Sequence, residues 1–308
     1  MLVFKKLDLS DINIIKPYFS LSELSENRAC DNTVGGTFLW RDYFHMEYAG
    51  YNKNFIFKGR FEDNITVFAM PLGNNSEEIT DSLKQIEFYC DKNAIGMIIC
   101  LATENDLKII EDLYQNTVKI FESGWSDYLY KASDLSELAG RGYSGQRNHI
   151  NYFKRNYPNY EIKQIDADNI GDAKKFFEKY ITQNEIYYKN SPALVEEAEK
   201  VFELFENHEN YKIYGQTGII LYINNTAIGF AAGEVAADTL FVHIEKADSE
   251  YRGAYQILVN EFAKFIKNTK NIKYINREDD AGDENLRISK LSYHPCEIIK
   301  KYTVKINK

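Results

Sequence analysis

The chain contains little cysteine, proline, methionine or tryptophan, with 4, 5, 4 and 2 of these residues respectively among 308. The cysteines Cys30, Cys90, Cys100 and Cys296 form no CxxC pair and lack metal-type spacing, which argues against zinc modules and dithiol redox centres. The sequence also has no Walker loop, GxGxxG fingerprint, HExxH helix or GxSxG elbow. These absences remove the commonest sequence signals for nucleotide binding, zinc hydrolysis and serine hydrolysis.

Long hydrophobic runs are missing as well. The apolar stretch 94–102 is much shorter than the roughly 20 residues that a membrane-spanning helix needs, and the first residues have no apolar core of signal-peptide length. We therefore expect a cytoplasmic protein with reduced cysteines and without a transmembrane segment. The net charge of −9 offers no global attraction for phosphates, so we predict no DNA partner and leave a local basic site open.

The order of the predicted elements repeats along the chain. Each half is predicted as a helix, an antiparallel hairpin, a strand, a second helix and a second strand. A length of 308 residues suits two domains, and no Gly/Ser-rich or Pro-rich linker separates the halves. We predict an α+β fold with domains at 1–135 and 136–308, each a mixed, mostly antiparallel sheet with flanking helices.

Titratable side chains lie in or just after the final residues of two strands, 240–245 and 272–276, that are predicted to be buried. Alternation places His243 and Glu245 on one strand face, with Leu240, Val242 and Ile244 on the other. A histidine and a carboxylate on a strand face are costly to bury without partners. This pattern indicates either a catalytic cleft, with a base, an acid and a cation in one place, or a structural ion-pair network.

The second strand supplies the cation and further polar groups. Its end carries Asn276, Arg277, Glu278 and Asp279, at a point where functional groups collect. Adjacent carboxylates here are candidate ligands for a divalent cation, but no second spaced cluster accompanies them, and we assign no metal. Downstream, Arg287, Lys290 and Tyr293 are predicted either to bind an anionic substrate or to neutralise these carboxylates.

The segment 140–155 contains no acidic residue, although the chain as a whole is acidic. Glycines precede its predicted helix, so backbone N–H groups and the helix dipole could hold a phosphate or a carboxylate. The basic residues Arg141, Arg147, Lys154 and Arg155 would add positive charge. A solvated basic helix face is the alternative.

These motifs together resemble the phosphatidylglycerol lysyltransferase C-terminal domain family, most strongly over residues 140–295. The motifs are Arg147–Asn148 followed by Asn151–Tyr152–Phe153, the run His243–Ile244–Glu245–Lys246–Ala247–Asp248 with Gly253, and Asn276–Arg277–Glu278–Asp279 with Gly282, Leu286–Arg287, Lys290 and Tyr293. The first 130 residues match in element order and around Trp40. The resemblance implies two tandem GNAT-like (acyl-CoA N-acyltransferase-like) domains, as in the Fem-type transferases.

The resemblance further implies transfer of an acyl or aminoacyl group to an amine or hydroxyl, with aminoacyl-tRNA or acyl-CoA as candidate donors. The coenzyme A loop would align with 250–255, where Glu250 and Tyr255 replace consensus positions. The membrane-spanning half of the lysyltransferases is absent from the sequence, so the acceptor is predicted as a small molecule or a lipid headgroup.

On this basis His243 or Glu245 would take the proton from the nucleophile, while Lys246 and Arg277 would stabilise the oxyanion. Donor and substrate binding is assigned to Arg141, Arg147, Asn148, Lys154, Arg155, Asn276, Glu278, Asp279, Arg287, Lys290 and Tyr293. The alternatives are an acyl-CoA-dependent N-acyltransferase and a non-catalytic binding protein on the same fold.

Overall fold

The structure is a computed structural model that describes residues 2–19, 28–61, 64–73 and 75–307. The helices are α1 Ile12–Phe19, α2 Val34–Phe38, α3 Ser76–Asn93, α4 Glu104–Leu113, α5 Ala132–Glu137, α6 Ser144–Asn156, α7 Ile170–Gln183, α8 Glu185–Lys189, α9 Pro192–Leu204, α10 His208–Ile213, α11 Ala254–Thr269 and α12 Glu284–Leu291. The strands are β1 Lys5–Lys6, β2 Glu47–Tyr51, β3 Asn54–Arg60, β4 Thr66–Phe68, β5 Met97–Ala102, β6 Thr117–Phe121, β7 Asp127–Lys131, β8 Tyr160–Gln164, β9 Gln216–Ile223, β10 Thr226–Ala236, β11 Thr239–Ala247, β12 Tyr274–Asn276, β13 Glu297–Ile299 and β14 Tyr302–Ile306.

The first compact unit contains the residues up to Asp127, together with Asp279–Asp283 and the segment from Ile298 onward. Its sheet has the order β1-β2-β3-β4-β5-β14-β6. The neighbours pair antiparallel except for β4 and β5, which are parallel. The amphipathic helices α3 and α4 bury Leu83, Ile86 and Ile110 against the strand residue Ile99.

The second compact unit comprises Tyr128–Glu278 and Glu284–Glu297. Its sheet has the order β13-β7-β12-β11-β10-β9-β8. Antiparallel pairing again dominates, and β11 with β12 is the parallel pair, linked by the crossover helix α11. The mixed, mostly antiparallel sheets with flanking helices confirm the predicted fold class.

Helices cover both faces of the second sheet. Adjacent residues of β10 point to opposite faces, and Phe230 contacts the aromatic rings of α7. Ala231 packs instead in the cluster that contains Ile257 and Phe262 of α11. The face covered by α5, α6 and α11 is called the α11 face below, and the opposite one the α7 face.

A β-bulge lies at the centre of the second sheet. Ala232 pairs with Ile244 but Gly233 pairs with Val242, so His243 is an extra residue on β11. A side chain at Gly233 would overlap the carbonyl group of Phe241, which explains the glycine at this position. The strict alternation expected along 240–245 therefore fails, because the bulge moves Glu245 to the same face as Leu240 and Val242.

The two units divide the chain differently from the boundary expected after residue 135. The division lies at Asp127, and the final segment, including β14, belongs to the first unit's sheet. The closing strand expected over 297–304 is two strands, β13 and β14, in different sheets. The assignment of domains to 1–135 and 136–308 stays a prediction. Within the described residues, none of the helices has the length and apolarity required to cross a bilayer.

Candidate functional site

Arg277 and Glu245 form an ion pair on the α11 face of the second sheet. Arg277 follows β12, Glu245 lies on β11 beyond the bulge, and Nη2 donates to Oε1 at 2.9 Å. The pair is nearly buried, with exposed side-chain fractions of 9% for Arg277 and 13% for Glu245. Burial alone lowers the pKa of Arg277, but the neighbouring carboxylate of Glu245 raises it overall, so the guanidinium is charged.

Aromatic rings contact the guanidinium of Arg277, and a buried lysine binds its backbone carbonyl. The central carbon of the guanidinium lies 5.0 Å from the ring centroid of Tyr293 and 6.0 Å from that of Tyr130, distances at which a cation is attracted to an aromatic face. Lys290 Nζ donates to the carbonyl oxygen of Arg277 at 2.6 Å, and the Tyr130 hydroxyl donates to the Lys290 carbonyl at 2.8 Å. These contacts restrict where the Arg277 side chain can point.

A small cavity adjoins the ion pair where β11 and β12 separate. Pairing of these strands ends at Phe241 and Asn276, so the residues that follow are free to diverge. The cavity is lined by Leu240, Val242, Ile275, Val259, Phe262 and Ala263 among others, and by Glu245 and Arg277. It is therefore apolar except at the end occupied by the ion pair.

One donor of Arg277 has no acceptor in the described part of the chain. Nη1 is buried and makes no hydrogen bond, whereas Nη2 binds Glu245. An unsatisfied buried donor costs about 1–3 kcal/mol, and more for a charged group. Such a group is rare in a folded protein and marks a place where a ligand oxygen could bind.

His243 belongs to a different charge cluster. Its Nδ1 lies 2.6 Å from Glu278 Oε1, and its Nε2 lies 3.6 Å from Glu234 Oε2. Burial lowers the pKa of His243, but the two carboxylates raise it to about 10. His243 is therefore an imidazolium at neutral pH, and it has no free basic nitrogen to accept a proton.

The side chain of Glu278 contacts His243, and the backbone of Glu278 has a left-handed conformation. It has φ of 57°, a conformation that costs a non-glycine residue energy and recurs at functional sites. The backbone N–H of Glu278 donates to the side-chain oxygen of the buried Asn276 at 2.6 Å. The Asn276 side chain therefore positions the backbone of Glu278.

Lys246 points to the α7 face. Both oxygens of Glu197, on α9, accept hydrogen bonds from Lys246 Nζ at 2.9 Å. Tyr180 of α7 lies beneath the ammonium, whose nitrogen is 5.8 Å from the ring centroid. Burial lowers the pKa of Lys246, but Glu197 raises it overall, so the lysine stays charged. Glu245 and Lys246 thus lie on opposite faces of β11.

The structure also separates the residues expected to bind a donor. Arg147 Nη1 donates to the carbonyls of Leu138 and Gly140, just beyond α5, so this part of its guanidinium serves local structure. Lys154 Nζ lies 3.7 Å from Glu261. The remaining members are exposed: Arg141, Asn148 and Arg155, the last with a bond from Nε to the Asn151 carbonyl.

Two further candidates, Asp279 and Arg287, contact neighbouring residues of the chain. Asp279 belongs to a segment of the first unit, where its carboxylate accepts from the N–H of Ala281 at 2.9 Å. Arg287, on α12, lies 4.0 Å from Glu284, one turn earlier. Lys290 and Tyr293, by contrast, touch Arg277 directly.

The start of α11 differs from an open anion cradle. Asp248 Oδ1 accepts from the backbone N–H of Glu250 at 3.0 Å, and Asp248 Oδ2 accepts from Lys179 at 2.8 Å. Gly253 has φ of 93°, and a side chain there would lie 2.5 Å from the His149 carbonyl oxygen. The Asp248 carboxylate therefore occupies the backbone N–H of Glu250, which is a group that a phosphate could otherwise bind.

The first unit contains a separate buried cluster. Cys30, Asp31 and Asp127 present ligand atoms within 4.8 Å of one another. Lys301 Nζ lies 2.5 Å from Asp31 and 2.7 Å from Asp127. Burial lowers the pKa of Lys301, but Asp127 and Asp31 raise it well above its ordinary value. The lysine ammonium thus supplies the cation that these carboxylates need.

Comparison with known proteins identifies the family. The family model described as phosphatidylglycerol lysyltransferase, C-terminal, matches residues 22–305. The chain belongs to the phosphatidylglycerol lysyltransferase C-terminal family. This membership confirms the resemblance inferred from the motifs.

Individual relatives agree with the family match. An uncharacterized protein of Mycoplasmoides gallisepticum is 27% identical over 237 residues, covering 76% of this chain and 72% of its own length. A conserved protein of unknown function from Bacteroides thetaiotaomicron is 28% identical, with full coverage of both chains and a TM-score of 0.88. The C-terminal domain of a putative lysylphosphatidylglycerol synthetase from Agrobacterium fabrum is 11% identical, with coverage of 97% and 92% and a TM-score of 0.68. The last likeness concerns the fold alone.

Sequence reasoning missed several partners of the predicted residues. Tyr130, Glu197 and Glu234 each contact a predicted residue, namely Arg277, Lys246 and His243 respectively. Tyr130 on β7 and Glu197 on α9 are far in sequence from the residues they contact, whereas Glu234 lies on β10, the strand next to His243, and none of the three stands in a recognisable motif. The two glycines within β10, Gly229 and Gly233, were a local signal, because a strand glycine often accompanies a bulge and the register shifts next to both.

Proposed function

We propose that this chain transfers an acyl or aminoacyl group from an activated ester to an amine or hydroxyl, and that Glu245 and Arg277 carry the chemistry. The supporting observation is the buried Arg277–Glu245 pair beside the cavity, with Arg277 Nη1 lacking an acceptor in the described residues. Membership of the family supports the reaction class.

In the proposed reaction the acceptor nitrogen or oxygen attacks the ester carbonyl carbon. A bond to the acceptor forms and the bond between the carbonyl carbon and the donor oxygen breaks. Glu245 takes the proton of the acceptor and returns it to the leaving oxygen. Arg277 donates to the carbonyl oxygen, where negative charge develops during the attack.

The other expected catalytic residues fit supporting roles better. His243, already protonated between Glu278 and Glu234, is an electrostatic element rather than a base. Lys246 is bound by Glu197 on the opposite face of β11 from Glu245, so it is better suited to holding α9 on the sheet than to stabilising the oxyanion.

Aminoacyl-tRNA is the donor that we favour. The loop before α11 has Asp248 bound to its own backbone and Glu250 beside it, which disfavours the pyrophosphate of acyl-CoA. The exposed basic residues of the segment around α6, Arg141 and Arg155, are available for RNA phosphates. A lipid headgroup is a candidate acceptor because the similar structure from Agrobacterium fabrum is the C-terminal domain of a putative lysylphosphatidylglycerol synthetase. The cytoplasmic location stays a prediction.

The test supplies the purified chain with aminoacyl-tRNA or acetyl-CoA, together with phosphatidylglycerol vesicles and water-soluble amines as acceptors. We expect loss of the aminoacyl group from RNA, and we expect Glu245→Gln to abolish it while the fold, followed by circular dichroism, is retained. The melting temperature should fall, because the glutamine keeps a hydrogen-bond acceptor for Arg277 but removes its counter-charge. Glu178→Gln makes the same chemical change on an exposed position of α7 and should leave the rate unaltered. Full activity of Glu245→Gln would reject the catalytic role of Glu245. Consumption of acetyl-CoA but not of aminoacyl-tRNA would mean that acyl-CoA, rather than aminoacyl-tRNA, is the donor.

A further inference from the structure

The cavity beside the Arg277–Glu245 pair has an apolar wall and one ionic end. Leu240 and Val242 come from β11, Ile275 from β12, and Val259 and Ala263 from α11. These side chains are buried, and the space between them is at most about that of one water molecule. Anything that enters must be small, and the part beyond the ion pair must be apolar.

The ionic end fixes the orientation of an entering group. Arg277 is nine-tenths buried, with an exposed fraction of 9%, and its Nη1 has no acceptor among the described residues. Nη2 is engaged by Glu245, so a ligand oxygen is the group that would satisfy Nη1. With a carbonyl oxygen at Nη1, the rest of the cavity lining available to the substituent on its carbon is apolar apart from Glu245.

We infer that the cavity receives the side chain of the transferred acyl group and limits that side chain to a small, uncharged one, as in an alanyl, glycyl or acetyl group. The inference rests on the proposed function of the Arg277–Glu245 pair, and it departs from the lysyl group named in the family description. A lysyl ammonium would enter an apolar wall beside a guanidinium, where it would lose its hydration and meet a like charge.

The cavity also predicts how selectivity changes when it is enlarged. Val259→Ala removes two methyl groups from the wall that faces the substituent. One methylene in an apolar pocket is worth about 10-fold to 200-fold in discrimination. The variant should therefore bind valyl and leucyl groups at least about tenfold better, relative to alanyl, than the unaltered chain does.

The experiment measures binding of non-hydrolysable donor analogues, so it needs no acceptor. RNA minihelices with amide-linked alanyl, leucyl or lysyl groups form one arm, and non-hydrolysable analogues of acetyl-CoA and a longer acyl-CoA form the other. We expect the small acyl group to bind at least about tenfold more tightly than the larger ones on whichever carrier binds. Equal or tighter binding of the lysyl analogue would overturn the inference while leaving the transfer function intact.

Two further outcomes keep the test decisive. Val201→Ala makes the same deletion at a buried position of α9, away from the cavity, and should leave the selectivity unchanged. If both valine variants shift selectivity equally, the cavity is not the selective element and the inference fails. If neither carrier binds the unaltered chain, the proposed function fails with it.

Discussion

The protonation of His243 is a sharp prediction of the structure. The side chain has an exposed fraction of 1% and lies between Glu278 and Glu234, whose carboxylates raise its pKa from 6.5 to about 10. Because each pKa unit corresponds to about 1.4 kcal/mol, the cluster contributes several kcal/mol to folding while the imidazolium persists. Because the pKa is higher in the folded chain than in the unfolded chain, this contribution to stability is fully present below about pH 6.5. It is lost as the pH rises toward 10.

The assay is an NMR titration of the imidazole signals of the chain's 5 histidines. His243→Gln assigns the signal by its disappearance, and His208→Gln, on α10, is the control. We expect the His243 signal to keep its protonated shift through pH 8. Denaturant unfolding should show that His243→Gln destabilises the chain more at pH 6 than at pH 10. A His243 signal that titrates at or below pH 6.5 would refute the two-carboxylate account and return His243 to the list of candidate bases.

Three other expectations follow from the described contacts. Lys301→Met should cost about 3–5 kcal/mol in urea unfolding because it leaves Asp127 buried without its cation, and a cost below 1 kcal/mol would mean that the cluster relaxes. Gly253→Ala should lower the melting temperature, since φ of 93° and the nearby His149 carbonyl both oppose a side chain, and an unchanged melting temperature would contradict that geometry. Binding of the tRNA donor should weaken steeply between low and moderate salt in a filter-binding assay, and a flat response would count against RNA.

Much of the fold could be predicted from local sequence signals. The N-cap Ser191 with Pro192 marks the start of α9, and Asn224–Asn225 marks the turn between β9 and β10. Helical spacing likewise locates α3 and α11. The pairing of β14 with β5 and β6 joins the end of the chain to its first half, and no local pattern encodes such a long-range contact.

Two residues of the candidate site, Glu245 and Arg277, could be named from the sequence, but the geometry that separates them from His243 and Lys246 could not. Alternation on β11 is a property of regular strands, and one extra residue at the bulge reverses it for Glu245. As a result His243 and Glu245 have different partners, Glu278 and Arg277 respectively. The sequence indicated which side chains were costly to bury, whereas their partners depend on how distant strands and helices pack.

The most direct test of the central claim is the transfer rate of Arg277→Lys in single-turnover experiments with the preferred donor. Lysine keeps the positive charge beside Glu245 but cannot present a second, fixed donor to the carbonyl oxygen. The account predicts a rate lower by about 100-fold or more with nearly unchanged donor affinity, while the matched change Arg60→Lys in the first unit has no effect. A full transfer rate for Arg277→Lys would contradict the assignment of oxyanion stabilisation to Arg277.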